Sequence, residues 1–286
     1  VANRAPVIWA LHNSTLDPDH VGAATRFGVR LNALLSSWMP AKIVACSRAS
    51  MQIHESLGYP ADKLVLIPNG FDLTAFRPDR AAYCAVREEL GVAQDVLLLG
   101  SFARFHPQKD HRTLCRAAGR IARRRGDVQF LLAGDGIEPH NTQLSAWIAE
   151  TGVAERFHLL GARSDMHRLT AALDVALVSS AFGEAFPLVV GEAMACAVPC
   201  VVTDVGDAAF MVGDGGRIVP PRDPAAFANA VLELLGQSPQ QRAALGQRAR
   251  ERIASEFELS AVVARYADLY DEVLKPSEAS PQTDET

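Results

Sequence analysis

Several kinds of sequence feature are scarce or missing in this chain of 286 residues, and each absence removes a class of protein. No apolar run reaches the roughly 18 residues that a membrane-spanning helix needs. Basic residues are not in excess, because 28 basic and 33 acidic side chains leave a net charge of −5, so nothing favours a nucleic-acid partner. The G-x-G-x-x-G fingerprint of NAD enzymes opens neither half of the chain, which makes a nicotinamide dehydrogenase the weakest functional hypothesis.

Cysteine is also sparse, and its pattern excludes a disulfide scaffold. The five cysteines are odd in number, scattered, and without neighbouring metal ligands: Cys46, Cys84, Cys115, Cys196 and Cys200. We expect reduced packing residues and a cytoplasmic protein, with at most a weak peripheral contact to the inner face of a membrane. Residues 22–38 form an amphipathic helix by their apolar spacing, and core packing explains that spacing better than membrane contact does.

What the sequence does contain is a regular alternation of strands and helices. From residue 96 onward, apolar strands are predicted at 96–99, 128–132, 157–160, 175–178, 200–203 and 217–219, with helical stretches between them. This order predicts an α/β fold with a doubly wound parallel sheet and a ligand site at the carboxyl ends of the strands. Residues 1–75 supply only about three strands, so the Rossmann-like N-terminal half looks truncated.

The most informative stretch is residues 179–200, SSAFGEAFPLVVGEAMACAVPC. A strand runs into a loop that holds Glu184, and Pro187 fits the first position of a helix that ends near Ala197. Glu192 follows one to two turns into that helix, whose free N–H groups form an anion site. Two carboxylates beside an anion site suit a ligand with hydroxyls at both ends and phosphate in the middle, although each carboxylate alone is as well explained by solvent exposure.

Other polar groups follow the predicted strands. Arg104 and Lys109 lie in SFARFHPQKD after the first strand of the second half, and they can hold phosphate or be solvated surface cations. His12 follows an early strand at its carboxyl end, where a loop histidine is the simpler alternative. Asp17-Pro18-Asp19 has the form of a metal-binding D-x-D, but a proline-containing turn explains it better.

These stretches together resemble one enzyme family. The E-x7-E pair with its flanks SS, FP, EAMAC and PCVVTDVG, the G-x3-R-x4-K spacing, HNST and LVLIPNGFD are similar to family-four glycosyltransferases of the GT-B fold. The resemblance implies a retaining, metal-independent transferase without a cofactor. It assigns the catalytic side to His12 and Glu184, the ribose to Glu192, the donor phosphates to Arg104, Lys109, Phe186 and Leu188, and the nucleobase side to Gly134, Ala162 and Arg163.

The resemblance also implies an organisation and a reaction. We expect a partial acceptor-side domain at 1–75, a nucleotide-sugar-binding domain at 76–258, a helix at 259–274 that returns to the first domain, and a disordered tail at 275–286. The reaction would move sugar from a nucleoside diphosphate sugar, UDP-linked by expectation, to a hydroxyl of a glycan or lipid-linked glycan.

Two departures from the family leave alternatives open. Ala197 stands where glycine is usual, which is tolerable unless its φ is positive. The short N-terminal half predicts exposed edges and apolar faces, and it motivates a second hypothesis, a donor-binding fragment that transfers nothing. A sugar-nucleotide epimerase on the same fold is a third hypothesis.

Overall fold

Two separate parallel β-sheets organise the fold. The computed structural model describes residues 5–17 and 21–275. The smaller, N-terminal sheet has the order β1-β2-β3, and the larger, C-terminal sheet has the order β6-β5-β4-β7-β8-β9. All neighbouring strands are parallel. The predicted fold class, an α/β fold with a doubly wound C-terminal sheet, is confirmed.

The elements follow each other as the alternation predicts, with bounds that differ from the prediction by a few residues. The N-terminal sheet and its helices are β1 (Ile8–Leu11), α1 (Ala23–Ser36), β2 (Lys42–Ala45), α2 (Arg48–Ser56) and β3 (Leu64–Leu66). The remaining elements are α3 (Arg80–Leu90), β4 (Leu97–Phe102), α4 (His111–Ala122), β5 (Val128–Ala133), α5 (Thr142–Ala149), β6 (Phe157–Leu159), α6 (Met166–Ala171), β7 (Val175–Val178), α7 (Leu188–Ala195), β8 (Cys200–Thr203), α8 (Ala208–Val212), β9 (Gly216–Val219), α9 (Pro224–Gly236), α10 (Pro239–Glu256) and α11 (Leu259–Leu274).

The C-terminal sheet is buried on both faces, as its near-continuous apolar strands require. On one face α4, α5 and α9 pack through residues such as Leu114, Ile148 and Phe227. On the other face α3, α6, α7, α8 and α10 pack through residues such as Val86 and Met194. The two layers hold the carboxyl ends of β4 and β7 side by side, and the polar loops described below begin there.

The chain crosses between the sheets twice at one place. Phe71 bridges Glu258 in parallel, with its N–H donating to the Phe257 carbonyl at 2.9 Å and its carbonyl accepting from Leu259 N–H at 3.0 Å. The ring of Phe71 fills the space beside Gly191, where a Cβ would lie 2.0 Å from the ring. Beyond this crossing α11 packs on the N-terminal sheet, where Val262 and Leu269 are buried.

The outer face of α1 is not covered in the described part of the chain. Ala33 packs on the N-terminal sheet, but Phe27 is 69% exposed, Leu34 72% and Trp38 82%. Core packing was therefore the wrong expectation for this apolar stripe. The sequence also predicts uncovered apolar faces on the short N-terminal half, and this face is one.

Three further expectations concern single residues or short segments. Pro187 is the N-cap of α7 rather than its first residue, with ψ 101°. Helix α7 ends at Ala195, and Ala197 has φ +58°, the left-handed conformation in which the extra methyl is unfavourable. Pro18, Asp19 and the tail from residue 276 lie outside the described residues. Among the residues that are described, no helix combines the length and apolarity needed to cross a bilayer.

Candidate functional site

A cleft of about 520 Å³ lies between the two sheets, at the carboxyl ends of β1, β2, β4 and β7. Parallel strands place their following loops at one edge, so this is where an α/β sheet binds a ligand. The cleft is lined from the N-terminal sheet by His12, Cys46 and Asn69, and from the C-terminal sheet by Arg104, Gln108, Lys109, Gly183, Glu184, Ala185, Phe186 and Leu188.

Hydrogen bonds between two loops fix the C-terminal wall of the cleft. The loop after β4 and the loop after β7 are joined because Ala181 N–H donates to the Gln108 carbonyl at 2.8 Å and Gln108 Nε2 donates to the Gly183 carbonyl at 2.9 Å. Ser179 Oγ donates to the Lys109 carbonyl at 2.8 Å. The two loops therefore form one unit that presents Lys109 and Glu184 together.

Glu184 is the most firmly held charged group in the cleft. Its Oε1 accepts from Ser180 Oγ at 2.6 Å and is in contact with Lys109 Nζ. Its side chain is only 9% exposed, and that of Lys109 is 19% exposed. A carboxylate in such a place needs its partners, because removing one would leave a desolvated charge.

Glycines allow the backbone around the cleft to come close. A Cβ on Gly206 would lie 1.7 Å from the Glu184 carbonyl oxygen, so this glycine lets the loop after β8 press against Glu184. Gly134, at φ +144°, would place a Cβ 2.2 Å from the Ala103 carbonyl oxygen. Its N–H donates to the Gly161 carbonyl at 2.8 Å, which ties together the loops after β5 and β6.

Three ionisable groups at or near the cleft have no partner. Among the described residues, the side chains of His12, Arg104 and Glu192 make no hydrogen bond or ion pair. His12 and Arg104 are exposed and line the cleft. Glu192 is half-buried on α7, and burial raises the pKa of its carboxyl group above the usual value. A half-buried carboxylate without a donor is stabilised by any ligand that brings one.

The structure brings together six of the residues that the sequence singled out. His12, Arg104, Lys109, Glu184, Phe186 and Leu188 all line the cleft. Glu192, Gly134, Ala162 and Arg163 are not among its lining residues.

The Arg163 side chain is already engaged elsewhere. Its guanidinium donates to both carboxylate oxygens of Asp165 at 2.8 Å and to Glu89 at 3.1 Å. These ion pairs raise the pKa of Arg163, with Asp165 as the first cause. Stacking of Arg163 on a base would have to break or reshape this network.

Five lining residues were not proposed as site residues from the sequence: Cys46, Asn69, Gln108, Gly183 and Ala185. Gly183 and Ala185 flank Glu184 in the loop after β7. Gln108 directly precedes Lys109 and could have been found from that position. Cys46, buried directly after β2, carries no signal beyond following a strand, whereas Asn69, after β3, belongs to the LVLIPNGFD stretch that resembles the family. In the described part of the chain, no three His, Cys, Asp or Glu side chains are grouped so that they could hold a metal ion. Metal independence stays a prediction.

Comparison with known proteins places this fold in one class. The structure of Anabaena Alr3699/HepE in complex with UDP superposes with a TM-score of 0.85 at 27% sequence identity, over 94% of this chain and 73% of that one. HepE has the GT-B fold. The family described as Glycosyl transferases group 1 matches residues 93–237. The chain belongs to this family, and the recognition from sequence is confirmed.

Two curated relatives show how much of such proteins the chain spans. It is 29% identical over 283 residues to the N-acetyl-alpha-D-glucosaminyl L-malate synthase of Bacillus anthracis, which is 96% of this chain and 70% of that enzyme. It is 32% identical over 143 residues to EpsF of Bacillus subtilis (strain 168), which is 50% of this chain and 36% of EpsF. The chain thus spans about a third of EpsF.

Proposed function

We propose that this chain carries the donor site of a retaining, metal-independent glycosyltransferase. Its substrates would be a UDP-linked sugar and a hydroxyl of a glycan or lipid-linked glycan. The observation that carries the proposal is the cleft between the two sheets, in which His12, Arg104, Lys109 and Glu184 meet. The likeness to HepE, whose structure holds UDP, supports the choice of nucleotide.

The phosphates of the donor would be held by fixed positive groups. As the sugar leaves, the nucleoside diphosphate gains negative charge, and preorganised cations and amide dipoles stabilise that charge most when they are already in place. Arg104 is unpaired and can bind phosphate oxygens in a bidentate way, and Lys109 adds a compact charge. The start of α7, at Phe186 to Leu188, lies at the same wall of the cleft and offers free N–H groups.

The two carboxylates would bind the ends of the donor. Glu192, half-buried and without a partner, would accept from both ribose hydroxyls. Glu184 is fixed by Ser180 and Lys109, and it would orient the sugar from one sheet while His12 approaches from the other. Closing a ligand between the sheets would also exclude water from the reacting carbon.

Retention follows if the acceptor enters on the leaving-group side. The bond from the anomeric carbon to the diphosphate oxygen breaks, the bond to the acceptor oxygen forms, and the acceptor proton passes to the departing phosphate oxygen. The resemblance to retaining family-four enzymes supports this course. The role of the chain's own residues is to hold the diphosphate and the sugar in the positions that this reaction requires.

Calorimetric binding of UDP, GDP and ADP in chelator tests the donor site. We expect micromolar binding of UDP without added metal, and much weaker binding of the other two nucleotides. If none of the three binds a folded sample, the proposed donor cleft is wrong.

A second function is favoured by one observation, the uncovered outer face of α1. A chain whose acceptor-side half is incomplete can bind donor and transfer nothing. Transfer of radiolabelled sugar from the bound nucleotide sugar to an added acceptor glycan would rule out this alternative. Change of the donor sugar without an acceptor would instead indicate an epimerase.

A further inference from the structure

A basic groove runs along the outer layer of the C-terminal sheet, between α4 and α5. A cavity of about 380 Å³ there is lined by Arg116, Arg120, Arg123, Trp147, Glu150 and Thr151, among others. A second cavity of about 290 Å³ continues it past Trp147 to Arg112. The arginines recur at spacings of four, four and three, which aligns them on one face of the helix.

The four guanidiniums of this groove are unpaired. Within the described residues, the side chains of Arg112, Arg116, Arg120 and Arg123 make no hydrogen bond or ion pair, and all four residues are exposed. Several arginines elsewhere on the same half are paired with carboxylates, as in the bridges of Arg125 to Asp127, Arg163 to Asp165 and Arg217 to Glu233. In a chain of net charge −5, a row of four free guanidiniums is a local positive potential that attracts an anion.

The groups that line the groove indicate which chemical groups its ligand carries. Guanidiniums bind carboxylate, phosphate or sulfate groups in a bidentate way. Trp147 offers an aromatic surface of the kind on which a sugar ring packs, while the exposed Glu150 carboxylate can accept hydrogen bonds from sugar hydroxyls. A flat anionic membrane suits this site poorly, because the groove is concave.

We infer that the α4–α5 groove binds an acidic glycan, a carbohydrate chain with carboxylate, phosphate or sulfate groups. The groove and the cleft between the sheets share no lining residue. The two sites are therefore separable, and the inference does not rest on the proposed transfer reaction. An acidic glycan held here would keep a polymer near the enzyme while its end is free.

The experiment is titration of the whole chain with a hexamer of galacturonic acid, followed by Trp147 fluorescence. Trp9→Phe and Trp38→Phe leave Trp147 as the remaining tryptophan of the three. We expect a saturable change in Trp147 emission with the acidic hexamer and none with neutral maltohexaose. Arg116→Gln with Arg120→Gln should weaken binding about tenfold at low salt, since each exposed ion pair contributes modestly.

A charge-matched control variant distinguishes binding in the groove from a general effect of positive charge on the protein. Arg30→Gln with Arg248→Gln removes the same charge from exposed positions outside the groove and should leave binding unchanged. UDP binding and circular dichroism should be the same in both double variants. Equal weakening by both double variants, equal binding of maltohexaose, or absence of any Trp147 response would overturn the inference. So would binding to phosphatidylglycerol vesicles that depends on Arg116 and Arg120 while the acidic hexamer does not bind.

Discussion

At the scale of single residues, the contact between Lys109 and Glu184 ties phosphate binding to sugar orientation. Lys109→Ala should weaken UDP binding by roughly 10- to 100-fold, because a charge-assisted contact is lost. Uridine binding should change little, since uridine has no phosphate. Calorimetry with the two ligands measures the difference.

Lys275→Ala is the control for Lys109→Ala, because Lys275 is exposed at the end of α11 and far from the cleft lining. Its UDP and uridine affinities should match those of the unmodified chain. Equal losses of UDP and uridine in Lys109→Ala would contradict the phosphate role and indicate a general disturbance of the wall that carries Glu184.

The unpaired carboxylate of Glu192 makes a different prediction. If it accepts from the ribose diol, the unmodified chain should prefer UDP to 2′-deoxy-UDP by about tenfold, the effect of one charge-assisted hydrogen bond. Glu192→Gln keeps the shape of the side chain and should reduce this preference to about two- to threefold, because a neutral acceptor binds more weakly. An unchanged preference would return Glu192 to the role of a solvated helix residue.

His111 directly follows the loop that carries Arg104 and Lys109, and it should make the free energy of unfolding depend on pH. Burial lowers the pKa of its imidazole from 6.5 to about 4, and its Nδ1 has no hydrogen-bond partner in the described structure. As the pH falls below 6.5, His111 becomes protonated in the unfolded chain, whereas in the folded chain it stays neutral until about pH 4. The free energy of unfolding should therefore fall by about 3 kcal/mol over that interval from this residue alone.

Urea unfolding of His111→Leu between pH 7 and pH 4 isolates this contribution. The variant should lose less stability on acidification than the unmodified chain, because its unfolded state lacks the extra proton. His167→Gln changes an exposed histidine on α6 and should leave the pH dependence as it was. The same slope in all three proteins would exclude His111 as the cause.

The site could be predicted at the residues where the chemistry is local in sequence. Glu184 and Glu192 share a strand–loop–helix unit, and Arg104 and Lys109 share one loop, so the sequence located each pair within one unit, while the resemblance to the family supplied the expected roles. The link between the two units was not predictable, because Gln108 reaches the Gly183 carbonyl through a hydrogen bond that spans 75 positions. The pairing of Arg163 with Glu89 was not predictable for the same reason, since Glu89 lies 74 positions away on α3.

At the scale of secondary-structure elements, the end of α7 stores local strain. Ala197 lies at φ +58°, and the left-handed conformation costs a residue with a Cβ about 1–2 kcal/mol. Ala197→Gly removes that cost but makes the unfolded chain freer by about 0.4–1 kcal/mol. We expect a net stabilisation of about 0.5–1 kcal/mol, measured by urea unfolding.

Ala195→Gly tests whether the effect belongs to the conformation of residue 197. Ala195 is the last helical residue of α7 and is fully buried, so glycine there should destabilise by about 1 kcal/mol. A loss of stability in Ala197→Gly as well would show that the methyl of Ala197 contributes more by packing than its backbone costs.

The strands and helices were largely predictable from the sequence, but what packs against each of them was not. Buried parallel strands are short apolar runs, and each of those predicted from residue 96 onward exists within a few residues of its predicted bounds. The periodicity of residues 22–38 predicted a helix, and α1 is that helix. Periodicity gives an apolar face but does not say what covers it, which is why core packing was wrong for Phe27, Leu34 and Trp38.

At the scale of the whole molecule, a carboxylate of one half caps a helix of the other. Asp207, buried at the start of α8, accepts from the backbone N–H groups of Arg48 at 2.7 Å and Ala49 at 2.9 Å. Ser47 accepts from Ser50 N–H at 3.0 Å, so the first turn of α2 is satisfied from both sides of the cleft. The Arg48 guanidinium also stacks 3.6 Å from the centre of the Phe210 ring. These contacts hold the halves at one angle.

Asp207→Ala should loosen that angle and lower stability by about 1–2 kcal/mol, as expected for a lost helix cap whose N–H groups remain buried. Small-angle X-ray scattering should show a larger radius of gyration for the variant without UDP. Asp204→Ala, on the same loop but exposed, is the control and should scatter like the unmodified chain. An unchanged radius in Asp207→Ala would mean that the double crossing at Phe71 and Glu258 fixes the angle by itself.

The position of α11 has a consequence for synthesis of the chain. Val262 and Leu269, near the end of the sequence, bury the face of the N-terminal sheet that includes Val44 and Ile67. A ribosome that adds about 5–20 residues per second needs roughly 10–40 s to reach Val262 after Ile67 has been made. During that interval one apolar face of the N-terminal sheet is exposed to water while the residues of the C-terminal sheet are synthesised. Chaperones that bind nascent chains therefore have a long opportunity to bind this face of β2 and β3 before α11 covers it.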